Sequence, residues 1–354
     1  MGPVIDWTLA STVAHAVASL TPAPDGTDFV SVAGPAEESE RVVEAYTGLR
    51  PVRPVPAAEA VGRDDWIDAN LRSLRTVLEP VATRLSNGLG PLGGAVGNGL
   101  GMVLAVETGA LSGFLAQRVL GQYEFPVLDP AADARLLFVS PNLAGAAESL
   151  EADAEDLLRW VALHETTHAL QFAAVPWLRG HLASMVEELL DTVEIDPKAL
   201  MRDPRALMRL PDLGDLRRFV DAVREHGLTG LVASPRQRAV LERAQAFMAV
   251  LEGYAEHVMD AAGEELIATL PELRSGLDRR RRERTGLLRV IERLLGFDLK
   301  LRQYEQGKRF CDEVVARGGI AGLNQVWSGP AALPTLAELD DPAGWLDRVL
   351  RSAA

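Results

Sequence analysis

The 354-residue chain contains one cysteine, Cys311. That excludes an intramolecular disulfide and any structural zinc site built on several thiolates. It also fits a reducing compartment, so a cytoplasmic protein is expected. Aromatic residues make up only 5%, and positive charge is in deficit: 36 Lys and Arg against 50 Asp and Glu leave a formal net charge of -14. Neutralising phosphates needs a positive face, so nucleic acid is not an expected partner. The first residues offer no basic segment followed by an apolar core, and no signal peptide is expected.

Long apolar runs are scarce as well. Residues 89–106 carry no charge and approach the length of a spanning helix. They include Gly90, Gly93, Gly94, Gly97, Gly99 and Gly101, and Glu107 follows at once. Close helix packing or a glycine-rich turn explains this segment better than a bilayer does, and no membrane association is expected. Gly99 and Gly101 make no dinucleotide fingerprint, because no strand precedes them and the spacing does not continue. There is no internal repeat.

What the sequence does contain is helical periodicity. Apolar residues recur three or four apart through 64–85, where Trp66, Ile67, Leu71, Leu74 and Val77 form one stripe. Similar patterns predict helices over 6–20, 37–49, 103–120, 152–173, 177–192, 213–225, 236–262, 264–270, 277–295 and 299–317. Gly121 is placed as a C-terminal cap. The prolines of 50–56 read as an extended connector, since each pushes its predecessor out of the α region. Two short apolar runs, 123–128 and 136–140, flank a turn-rich segment and predict a hairpin or two edge strands. The expected fold is mainly α with a minimal β element. Residues 1–85 are expected to be an N-terminal helical segment packed on the core, and 86–354 the metal-binding domain.

Chemistry concentrates in residues 164–168, His-Glu-Thr-Thr-His. Two of the six histidines of the chain, His164 and His168, fall in this window. Four residues apart on a helix, both imidazoles reach the same face about one turn apart and can share one metal ion. Glu165 projects beside them, where a carboxylate can act as general base toward water acidified by zinc. Leu157, Val161 and Phe172 continue the stripe, so the pair extends an apolar face. The plain alternative is a helix with two solvated or core histidines.

A catalytic zinc site has three protein ligands and an open position. Glu252, on a second long helix, is the first candidate for the third. Glu256 and Asp260 follow at i+4 and i+8, where a carboxylate can accept the outer N–H of a ligand histidine. His257 is the alternative ligand, about 140° round the helix from Glu252. A solvated acidic face is the bland reading of the same segment.

His164 to His168 followed much later by Glu252 and Glu256 resembles the gluzincin branch of zinc peptidases. There a downstream helix supplies a glutamate as third ligand, and an acidic residue four positions on supports a ligand histidine. A closer likeness spans most of the chain. Asp6 and Trp7, residues 119–123, the histidine motif, Leu251 to Gly253, Val258 to Asp260, and 303–310 are similar to an actinobacterial family of zincin-like proteins. Its members are called zinc-dependent metalloproteases or deazaflavin-coenzyme biosynthesis-associated proteins. The resemblance implies a largely helical zincin-like domain with one zinc ion per chain.

The expected function is therefore a zinc-dependent hydrolase acting on a peptide or other amide, with Glu165 as general base. The alternatives are a non-catalytic binding or regulatory protein on a zincin frame, or a non-peptide amide or ester hydrolase. Tyr304 is the first candidate to steady the oxyanion, with Tyr254 and His257 as others. Each tyrosine has a core reading beside it. Residues 136–140 are a candidate edge for pairing with a substrate backbone. The basic run 279–284 reads as a solvated helix face, and Cys311 as a buried small residue. No oligomeric state can be read from the sequence.

Overall fold

The computed structural model describes residues 3–22, 31–88, 93–129, 131–192, 234–283 and 297–353. Among the described residues the chain folds as a mainly α protein with one small three-stranded sheet. Its elements in order are α1 (Trp7–Ala18), α2 (Ala33–Thr47), β1 (Ala58–Val61), α3 (Arg63–Gly88), α4 (Gly93–Ala116), β2 (Gly121–Glu124), β3 (Arg135–Val139) and α5 (Ser140–Leu150). Then follow α6 (Ala154–Ala174), α7 (Leu178–Asp191), α8 (Pro235–Leu266), α9 (Leu270–Glu283), α10 (Phe297–Leu323) and α11 (Pro342–Ala353). Most expected helices are present, with ends displaced by a few residues. Helix α4, however, begins ten residues before the expected 103, and the short helix expected over 264–270 is instead the end of α8 and the start of α9. The helix expected over 213–225 and the end of that over 277–295 lie outside the described residues.

Contacts gather the described residues into two compact units. One draws on Met1–Ala33 and Pro56–Ser149, the other on Gly34–Val55, Leu150–Thr192 and Leu213–Ala354. Residue 85, where the sequence suggested a division, lies inside α3.

In the first unit α1, α3 and α4 pack together beside the sheet. The glycines of α4 are what let α1 approach. A Cβ on Gly101 would overlap the carbonyl of Val4, and one on Gly109 or Gly113 the carbonyls of Ala10 and Ala14. From Gly93 on, the uncharged segment is thus part of a packing helix, and among the described residues no helix is long and apolar enough to cross a membrane. Trp66, Ile67 and Leu71 bury their stripe against Leu137 and Val139.

Two expectations need correction here. Strand order is β1-β3-β2, with β1 parallel and β2 antiparallel to β3. Residues 135–139 are therefore the central strand, paired on both sides, and Ser140 already begins α5. That segment has no free ladder for a substrate. The partner on one side, β1, follows the proline-rich connector of 50–56 and carries no strand signal of its own, because four residues are too few to show a period. Gly121 opens β2, five residues beyond the end of α4, and caps nothing.

The second unit is built on α6. Asp153 caps its start by accepting from the N–H groups of Glu155 and Asp156, and Glu155 and Asp156 suit the positive end of the helix dipole. Fourteen of its residues, including Leu157, Val161, Leu163, Leu170 and Phe172, are buried on several faces. Each such apolar side chain contributes roughly 1.5–3 kcal/mol. The helix is tied at both ends. Asp156 Oδ2 accepts from the Thr269 N–H at 3.2 Å and its hydroxyl at 2.5 Å, and the Ala173 carbonyl accepts from the Val52 N–H at 3.0 Å. Helix α8 packs on both α6 and α10. It starts where Ser234 caps the Gln237 N–H and Pro235 takes the first turn, where no intrahelical N–H bond is lost.

Candidate metal centre

Helix α6 presents His164 and His168 one turn apart, and α8 presents Glu252 opposite them. The two Nε2 atoms are 3.2 Å apart, and Glu252 Oε2 stands 3.6 Å from each. The rings meet edge to face with centroids 4.7 Å apart. Among the described residues this is the cluster of His, Cys, Asp and Glu whose ligand atoms converge.

The spacing can be tested against a metal. Two ligand atoms about 2.0–2.1 Å from one zinc ion at a tetrahedral angle are themselves about 3.3 Å apart. The observed 3.2 and 3.6 Å bracket that value. Two imidazoles and one carboxylate are also a donor set zinc accepts with one position left open. All three side chains keep a small exposure, 21% for His164, 10% for His168 and 18% for Glu252, so the cluster is reachable from solvent.

Electrostatics favour positive charge here. Burial alone would discharge His164, but Glu252, Glu165 and Glu256 outweigh it and raise the imidazole to about 9. Burial also disfavours the Glu252 carboxylate, yet His164 and His168 hold it well below the usual range. Such a pocket suits a cation, whether proton or metal ion. Glu165, half-buried beside His164, contributes to this field.

Other sequence candidates fall elsewhere. Glu256 acts on His164 through charge, while His164 Nδ1 is buried without a hydrogen-bond partner. Asp260 forms an ion pair with Arg274 and another with Lys308 Nζ at 3.0 Å. His257 is not free to be the third ligand, which corrects its place as the alternative. Asp312 accepts from its Nδ1 at 2.7 Å, and its Nε2 is hydrogen-bonded to the Tyr46 hydroxyl at 2.7 Å. Tyr254 is fully buried, donates to Asn324 Oδ1 at 2.8 Å, and packs edge-on against Trp327 at 5.3 Å. It is a core residue and no oxyanion donor. Tyr304 is within α10, but its side chain lies outside the described residues, as do those of the basic run 279–284. Cys311 is buried, and burial pushes its thiol pKa up.

Sequence reasoning missed two partners. Gln171, three residues beyond His168 and fully buried, places Oε1 2.9 Å from His168 Nδ1. A polar residue at i+3 in an otherwise apolar stretch was the available signal. The Tyr46–His257–Asp312 chain joins α2, α8 and α10, and nothing local announced it.

The zincin-like metallopeptidase family profile matches residues 5–346. Among solved structures, that of "a putative hydrolase with a novel fold from Chloroflexus aurantiacus" is 31% identical. It superposes with a TM-score of 0.72, covering 98% of this chain and 99% of its own. No curated protein matches. These likenesses carry the zincin-like part of the resemblance, and neither an actinobacterial origin nor a link to deazaflavin coenzymes.

Proposed function

The chain belongs to the zincin-like metallopeptidase family, and on that footing we propose that it is a zinc-dependent hydrolase of amide bonds, acting on peptides in the cytoplasm. The observation that carries this reading is the convergence of His164 Nε2, His168 Nε2 and Glu252 Oε2 in a site that keeps a small solvent exposure. The likeness to the Chloroflexus hydrolase supports the hydrolase class, and the family name the peptide substrate.

His164, His168 and Glu252 would hold the ion. Zinc bound there supplies Lewis acidity, polarising a scissile carbonyl and lowering the pKa of water to about 7. Glu165 is the general base: its carboxylate takes a proton from the attacking water and gives it to the leaving amine. Its place immediately after His164, with its charge felt at that imidazole, supports the role. A purely structural zinc site would fill four positions with protein ligands and have no use for such a base.

Metal content and hydrolysis together test the reading. Wild type and Glu165→Gln should each hold about one zinc per chain, as a three-ligand site requires. Only wild type should cleave members of a diverse peptide library. A chain that takes up no zinc ends the metal reading. Zinc uptake without hydrolysis of any amide would favour a binding or regulatory protein.

A further inference from the structure

Gln171 bridges the two ligand helices. Its Oε1 lies 2.9 Å from His168 Nδ1, and its Nε2 donates to the Leu251 carbonyl at 3.2 Å, one residue before Glu252. These partners fix which end of the amide is which. A backbone carbonyl can only accept, so the NH2 group faces Leu251 and the oxygen faces His168. The oxygen in turn can only accept, so Nδ1 of His168 carries a proton, and in the neutral imidazole that leaves the Nε2 lone pair toward His164 and Glu252. The side chain is fully buried, where an amide left without partners is costly.

From this geometry we propose that Gln171 is a positioning residue for the metal. It selects the Nδ1–H tautomer of His168, holds the ring in its binding orientation, and sets the register of α6 against the backbone that carries Glu252. A neutral amide here does what a carboxylate commonly does beside a metal-binding histidine. It leaves the site one negative charge lighter. The inference rests on the reading of His168 as a zinc ligand, but not on peptidase activity.

The test uses the full-length protein and zinc alone. Gln171→Leu removes both hydrogen bonds at similar volume. Its zinc affinity, from chelator competition, should fall roughly 10–100-fold. Gln171→Glu keeps the acceptor and loses the donor, and should bind zinc at least tenfold more tightly than Gln171→Leu. Nitrogen-15 NMR of the zinc-loaded wild type, tractable with six histidines, should find His168 protonated at Nδ1 and metal-bound through Nε2. That measurement stands even if Gln171→Leu fails to fold. A Gln171→Leu affinity within twofold of wild type, or a His168 protonated at Nε2, overturns the proposal. Wild type that binds no zinc overturns it together with the metal reading, whereas zinc binding without hydrolysis leaves it intact and overturns only the peptidase.

Discussion

Gly253 and Gly307 face each other where α8 crosses α10, with no side chain between them. A Cβ on Gly253 would overlap the backbone of Gly307, and one on Gly307 the carbonyl of Ala249. The residue before Gly253 is Glu252, the third ligand of the proposed centre, so the closeness of this crossing also sets where its carboxylate stands.

Gly253→Ala should therefore lower the unfolding free energy by about 1–3 kcal/mol, the usual cost of overpacking, and toward the upper end because the obstacle is backbone. Zinc affinity should fall with it. Gly180→Ala on α7, where a Cβ would meet nothing within 4 Å, should instead stabilise by roughly 0.5–1 kcal/mol through helix propensity. Denaturant titrations of both variants measure this. Equal effects of the two would mean the crossing is not tight.

Replacing Glu252 separates the two candidates for third ligand. Glu252→Gln keeps the shape and removes the charge, and should weaken zinc binding by more than the roughly 10–100-fold typical of a residue one step removed from a metal. His257→Ala should keep the metal and lose thermal stability, since Tyr46 and Asp312 lose their common partner. If His257→Ala loses zinc and Glu252→Gln does not, the assignment of ligands is wrong.

Acid should find a weak point at Asp312. Burial alone would raise its pKa, but His257 and Lys308 hold the carboxyl below its ordinary value. A group whose folded pKa is depressed stabilises the fold above its unfolded pKa of about 3.9, and that stability is lost as pH falls through the folded value. Asp312→Asn should thus be less stable than wild type at neutral pH, with the difference shrinking below about pH 4. Melting temperatures across pH 2–7 test it, and a gap that widens with acid would refute the ion-pair account.

Much of the fold could be read from local pattern. The stripe of Trp66, Ile67 and Leu71 announced α3, and the glycines before Glu107 suggested close helix packing or a turn; of these, Gly101 in α4 lies against the Val4 carbonyl. Strand β1 could not be read, because Ala58–Val61 is a strand only by virtue of pairing with Leu136–Val139, 78 residues away in sequence. For the same reason residues 136–140 looked like an edge: which strands flank a strand is not written in the strand itself.

The sequence by itself determined the pair His164 and His168 with Glu165 between them, since i and i+4 share a helix face through backbone geometry alone. Only the tertiary structure decided the rest of the centre. Glu252 and His257 are both good ligands on one long helix, about 140° apart around it. Packing turned the first toward α6 and gave the second to Tyr46 and Asp312. The same packing brought Gln171 to Leu251 and took Tyr254 into the core. Which face of α8 meets which neighbour depends on contacts distant in sequence, from 55 residues for His257 to Asp312 to 80 for Gln171 to Leu251, and no local spacing encodes them.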